Sequence, residues 1–156
     1  MDGAEVRIRR ADGGDAARIA RLLHDFNVEY GEPTPGVEAL AENAWQMLAE
    51  GEMRVLLAGT GPDAIALVRM RRCIWDGAME AHLQELYVVP ALRGRGIGRA
   101  LLEATIELAR ELGAARIDLN TAETDAAARG LYSSMGFSNR EGGPDGPPML
   151  YYEREV

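Results

Sequence analysis

Residues 85–104 read ELYVVPALRGRGIGRALLEA, and they pass from strand to glycine-rich turn to helix. The strand stops at Pro90, because proline cannot donate to a sheet ladder. From Ile97 onward, Leu101, Leu102, Thr105, Leu108, Ala109 and Leu112 recur on one side of a helix over 97–112. Gly113 stands where helices commonly close. Between strand and helix, Gly94, Gly96 and Gly98 let the backbone turn tightly and aim several N–H groups at one spot. The unsatisfied N–H groups and positive dipole end of the helix point there too. Glycines that only satisfy a turn are the plain alternative, but Arg93, Arg95 and Arg99 interleave them with positive charge. The stretch therefore reads as a cradle for a phosphate or pyrophosphate. A P-loop needs Gly-Lys-Ser/Thr, which is absent. Asp118, 20 residues after Gly98, mimics the acid of a dinucleotide fingerprint, but the third glycine of that fingerprint is Arg99 or Leu101 in the two possible registers.

On the amino-terminal side, residues 5–9 alternate as a short half-buried strand. Asp15 then reads as the N-cap of a helix carrying Ile19, Leu22, Leu23, Phe26 and Tyr30. Gly31-Glu32-Pro33-Thr34-Pro35 stops that helix. A second helix carries Val37, Leu40, Ala44 and Leu48. Strands near 53–58 and 64–71 flank the turn Gly59-Thr60-Gly61-Pro62-Asp63 and form a hairpin. Residues 80–89 are the longest strand. Beyond the central helix come a strand at 115–119, a helix at 125–135, a loop at 139–148 and a last strand at 149–153. Strands cluster first and then alternate with helices, so the sheet is mixed.

The chain has 156 residues, which fits one domain. Its hydrophobic share of 47% and charged share of 27% are those of a globular protein able to bury a sufficient core. With 17 basic and 25 acidic residues the net charge is −8, a poor balance for binding nucleic acid or an anionic membrane. Cys73 is the one cysteine, which excludes a disulfide scaffold and a Cys-based zinc site and fits a reducing cytosol. No signal-type apolar region follows the start, and no stretch approaches the ~20 apolar residues of a membrane span. These features give the expectation of a cytoplasmic protein without metal.

The quoted stretch resembles the central motif of the GNAT N-acetyltransferase superfamily, whose loop reads Gln/Arg-x-x-Gly-x-Gly/Ala and is matched by Arg93 to Gly98. A second family pattern, Asn-x-x-Ala-x-x-Leu-Tyr-x-x-x-Gly-Phe, is matched over Asp125 to Phe137, with Asp125 in place of the frequent Asn. Together the motifs cover about 82–137; the first 80 residues match only in element order. The resemblance implies an α/β (α+β) fold with a mixed, mostly antiparallel central sheet of about 6–7 strands and about four helices, in one domain over 1–156.

It also implies transfer of an acetyl group from acetyl-CoA to a primary amine, with a homodimer left open. The backbone of Leu86, Tyr87 and Val88 would pair with pantetheine, and the Val88 N–H would polarise the thioester carbonyl. Gly94, Arg95, Gly96, Ile97, Gly98 and Arg99, with Arg93, would hold the pyrophosphate. Asp125 would accept a hydrogen bond from pantetheine, and Tyr132 would protonate the departing thiolate, the alternative being a core tyrosine.

For the base, one subgroup of the family carries His-x-His on this strand, where His82 and Gln84 stand. Polyamine acetyltransferases carry acids there, and Glu85 is the competitor. Glu85 lies on the opposite face of an ideal strand, near the point where a bulge can change facing. His82, Glu85 and water remain open. His24, Asp25, Glu29 and Glu32 could attract a cationic amine, although solvated helix-face acids are the ordinary reading. The loop at 142–148 is a candidate cover for the acceptor. Aminoglycosides, polyamines and amino acids are all open as acceptors, and a non-catalytic acyl-CoA sensor is the alternative function.

Overall fold

Arg9, on the first strand, decides how the chain enters its first helix. In the computed structural model, which describes residues 5–61 and 63–156, strand β1 covers Ile8–Arg10. A 3-10 turn at Gly13–Asp15 follows, and then helix α1 at Ala16–Glu29. The Arg9 guanidinium donates to both oxygens of Asp15 at 2.7 and 2.8 Å. Asp15 Oδ2 also accepts the Asp12 N–H at 3.0 Å, and Asp12 Oδ1 accepts the Gly14 N–H at 2.8 Å. Asp15 thus stands at the N-cap position of α1 without a side-chain cap bond, while Asp12 caps the 3-10 turn before it. Asp15 is instead the buried anchor of the entry.

Helix α2 spans Val37–Ala49. Strands β2 (Met53–Ala58), β3 (Ala64–Arg72) and β4 (Met79–Val88) follow in a meander. Helix α3 (Ile97–Glu111) then crosses to β5 (Ala114–Leu119), which pairs with β4 in parallel. The sheet order is β1-β2-β3-β4-β5, antiparallel except for the last pair.

Register assigns the faces. Met53, Val55 and Leu57 of β2 oppose Arg69, Leu67 and Ile65 of β3. With Ile19, Leu22, Ala44 and Tyr87, most of these build the core beneath α1 and α2. Leu101, Leu102, Thr105, Leu108 and Ala109 of α3 are buried on the other face, against β2 to β5. The buried Thr105 hydroxyl donates to the Leu101 carbonyl at 2.7 Å, so it adds no unmet polar group.

The chain forms two compact units, Met1–Leu119 and Asn120–Val156. The second contains helix α4, Ala126–Ser134, capped by Asp125 Oδ1 accepting the Ala128 N–H at 3.0 Å. Five strands, not six or seven, are present among the described residues, and the strand expected at 149–153 does not form. Pro147 and Pro148 bring no N–H to that segment. The hairpin instead closes through a single bridge, Arg140 to Pro148, and the Met149 N–H donating to Asn139. Pro62 of the hairpin turn and the first four residues lie outside the described residues. Among the described residues no helix is long and apolar enough to cross a membrane.

The Asp15 carboxyl is held at about 2 against an ordinary 3.8, first by the Arg9 hydrogen bond and against a smaller opposing effect of burial. The fold thus favours the ionised form. That contribution is whole above about pH 4 and disappears as pH falls through 2. Asp15→Asn is expected to lower stability at pH 7 by roughly 1–2 kcal/mol, discounting for the partly exposed Arg9, and to flatten the loss of stability between pH 4 and 2. Urea unfolding of both proteins across that range measures it.

Candidate active site

A break in the β3–β4 ladder organises the site. Leu67 opposes Glu85, but its neighbour Val68 opposes Leu83, so Gln84 is an extra residue in β4. Before this bulge His82 opposes Arg69, and after it Glu85 opposes Leu67. Since Leu67 and Arg69 share a face, His82 and Glu85 share it too, along with Glu80 and Tyr87. The opposite facing expected of an ideal strand is corrected by one inserted residue.

Next to that bulge lies a cavity of about 220 Å³. Leu23 and Asn27 of α1, Leu40, Asn43 and Met47 of α2, Met53 and Leu67 of the sheet, and Gln84 and Glu85 of the bulge line it. Glu85 is the one ionisable side chain among these. Burial raises its carboxyl above the ordinary value, and the charged form of His82 partly offsets this.

His82, half-buried, is hydrogen-bonded through Nδ1 to Asp118 Oδ1, its register partner on β5. A carboxylate can only accept, so Nδ1 carries the proton and Nε2 is left as the basic nitrogen of the neutral ring. Arg71 Nη2 in turn donates to Asp118 Oδ2 at 2.5 Å, and Arg71 Nε to Glu80 at 3.2 Å.

At the other end of β4, backbone direction matters. The Val89 N–H donates to Asp63, and Tyr87 opposes Ile65. In an antiparallel ladder this alternation turns the backbone groups of Leu86 and Val88 away from β3. The β5 ladder has already ended at Leu83–Leu119, so Leu86 and Val88 lie beyond it. Tyr87, in contrast, faces β3 with its backbone. Its ring is buried and stacks on Phe26 with centroids 4.9 Å apart, and its hydroxyl donates to Glu29 Oε1 at 3.1 Å. Burial first, then Glu29, pushes its phenol up to about 12.

Arg93 closes this corner. Its guanidinium donates to both Glu29 oxygens at 2.7 and 2.8 Å, and its Nε donates to the Val88 carbonyl at 2.9 Å. The Arg93 hydrogen bonds hold the Glu29 carboxyl below the usual range. Arg93 is thus balanced by Glu29 rather than left as a counter-charge for an anion, and Glu29 is not free to attract a cationic substrate. The loop itself keeps the expected shape. Gly94 and Gly96 have φ of +74° and +79°, and a Cβ on either would meet nothing within 4 Å. The first bond within α3 is donated by Ala100 to Gly96, so the N–H groups of Ile97 and Gly98 point out of the helix end. This open, N–H-lined cradle, flanked by Arg95 and Arg99, fits a pyrophosphate.

In the second unit, Tyr132 packs edge-on against Phe137 at 5.9 Å, and Asp125 uses one oxygen as the α4 cap. Local sequence did not reveal Asp118 as the partner of His82, since only parallel pairing with β5 brings them together. Nor did it reveal Glu29 as the partner of Arg93, which lies 64 residues away.

A family model described as "Acetyltransferase (GNAT) family" matches residues 19–137. An N-acetyltransferase of Bacillus subtilis (strain 168), YhfO, whose own function is uncharacterised, is 29% identical over 88% of this chain and 93% of its own. A crystal structure from Arthrobacter sp. FB24, assigned as an acetyltransferase, is 44% identical and superposes over the whole of both chains with a TM-score of 0.89. A predicted acetyltransferase from Clostridium acetobutylicum, solved with acetyl-CoA, shares the fold at 18% identity over 90% of this chain and 94% of its own, with a TM-score of 0.73.

Acetyl-CoA at a hundred times its Kd is expected to stabilise the protein by about 2.7 kcal/mol. Gly96→Val should remove that shift. Gly113→Val supplies the control, because Gly113 has the same strained φ of +81° and equally open space at the far end of α3. Thermal melts of the three proteins decide it. Loss in both variants points to backbone strain, and retention in Gly96→Val removes the cradle assignment.

Proposed function

The chain belongs to the acetyltransferase (GNAT) family and is an acetyl-CoA-dependent N-acetyltransferase, and from that premise we propose that it passes the acetyl group directly to a primary amine seated against Glu85, within one ternary complex. The observation that carries this reading is Glu85, the single ionisable group among the described residues that line the cavity, placed on the strand that leads into the cradle. We propose that both units, 1–156, make one catalytic domain.

When bound, acetyl-CoA supplies an acetyl group activated as a thioester. The N–H groups from Gly94 to Arg99 would hold its pyrophosphate, and the backbone of Leu86 and Val88 would receive the pantetheine. The Val88 N–H would donate to the thioester oxygen, where negative charge develops. An alkyl amine arrives mostly protonated at neutral pH and must lose a proton to become a nucleophile. Glu85 would bind the ammonium and accept that proton. Burial makes its carboxylate a stronger base than a solvated one. His82, locked by Asp118, would stand next to it on the same face as the relay toward solvent. Tyr132 keeps its proposed part as proton donor to the thiolate, on the strength of the motif alone.

Glu85→Gln is expected to lower kcat/KM by about 10²- to 10⁴-fold while the acetyl-CoA melting shift stays. In the wild type, activity should fall as pH drops through the raised carboxyl pKa. Glu85→Gln should remove that limb, and His82→Ala should move it to higher pH, since the charged ring that opposes burial is gone. Coenzyme A thiol release against pH measures all three. A limb kept by Glu85→Gln and lost by His82→Ala would make His82 the base, and a limb unmoved in both would leave water.

A further inference from the structure

The lining of the cavity beside the bulge narrows what the acceptor is, given the reading above that this cavity is the acceptor site. We infer that the acceptor is a small primary monoamine, with one positive charge, a compact apolar body, and uncharged hydrogen-bonding groups only. The cavity measures about 220 Å³, below the roughly 300–1,000 Å³ of sites that take drug-sized ligands. Its apolar surface comes from Leu23, Leu40, Met47, Met53 and Leu67, and its polar groups are Glu85 and the carboxamides of Asn27, Asn43 and Gln84.

One carboxylate balances one ammonium. A second ammonium of a polyamine or an aminoglycoside would find no second acid in the lining. Outside the lining, Glu29 is matched to Arg93 at 2.7 Å, Asp25 to Arg21 at 3.6 Å, and Glu52, just before β2, to Arg69 at 3.1 Å, while Glu38 and Glu42 of α2 are solvent-exposed. Among the described residues, the lining also holds no Lys, Arg or His. The carboxylate of a free amino acid would therefore sit in a half-apolar cavity beside the like charge of Glu85, and His82, the cationic group next to Glu85, is already engaged by Asp118, which makes that placement costly. The carboxamides, each both donor and acceptor, suit a hydroxyl or carbonyl on the acceptor.

Matched pairs test this. The whole chain is assayed by coenzyme A thiol release with 3-methylbutylamine against leucine and tyramine against tyrosine, with spermidine and kanamycin as polycations. The monoamine of each pair should exceed its carboxylate-bearing partner, and both polycations, by about tenfold or more in kcat/KM. Preferred turnover of an amino acid or a polycation, or no turnover of either monoamine, overturns the monoamine assignment. Asn43→Phe, at an exposed position of α2 on the cavity rim, separates the premise from the inference. It should keep the acetyl-CoA melting shift and cut turnover of the best amine. If that turnover is unchanged, the cavity is not the acceptor site, whatever the ranking of amines.

Discussion

One inserted residue, Gln84, sets the chemistry of this fold. A strand alternates its side chains strictly, so a regular β4 would put His82 beneath α1 and α2 and Glu85 under α3, or the reverse. The bulge cancels one step of that alternation. His82, Glu85 and Tyr87 then line up on one face, with the cavity where the ladder is interrupted and the cradle just beyond. The same parity turns Ala81 and Leu83 toward α3, where both are buried. A slip in either direction would drive a carboxylate and an imidazole into that apolar layer, so the core itself defends the register.

Glu29 and Arg93 join the two ends of this arrangement within the first unit. Their two parallel hydrogen bonds fix the last turn of α1 to the residue that opens the glycine loop, and the same guanidinium holds the Val88 carbonyl. The pair is partly exposed, so its energy is modest. Its geometric effect is larger, since a bidentate contact leaves little freedom of rotation. The wall of the cavity beside the bulge and the entrance of the cradle are thereby built from one connected set of residues.

The sequence made the strand, glycine turn and helix of 85–104 readable, because proline, alternating glycines and a helical apolar stripe are local signals. It also made the four helices readable to within a residue or two. The last strand, expected at 149–153, does not form: prolines just before it leave one bridge in its place. Asp15 was legible as the residue that opens the first helix, but its part as a buried anchor was not, since only the tertiary contact with Arg9 draws its carboxylate away from the cap. The pairs His82–Asp118 and Glu29–Arg93 are separated by 36 and 64 residues. Periodicity within a window says nothing about such contacts. The bulge was legible as a place where facing could change, but not as the residue that changes it.

Backbone NOEs between β3 and β4 in the uniformly labelled protein test the central claim most directly. The account predicts that Leu67 faces Glu85 and Arg69 faces His82, with Gln84 lacking a cross-strand partner. An unbroken register, in which Arg69 faces Leu83, would put His82 and Glu85 on opposite faces and contradict it.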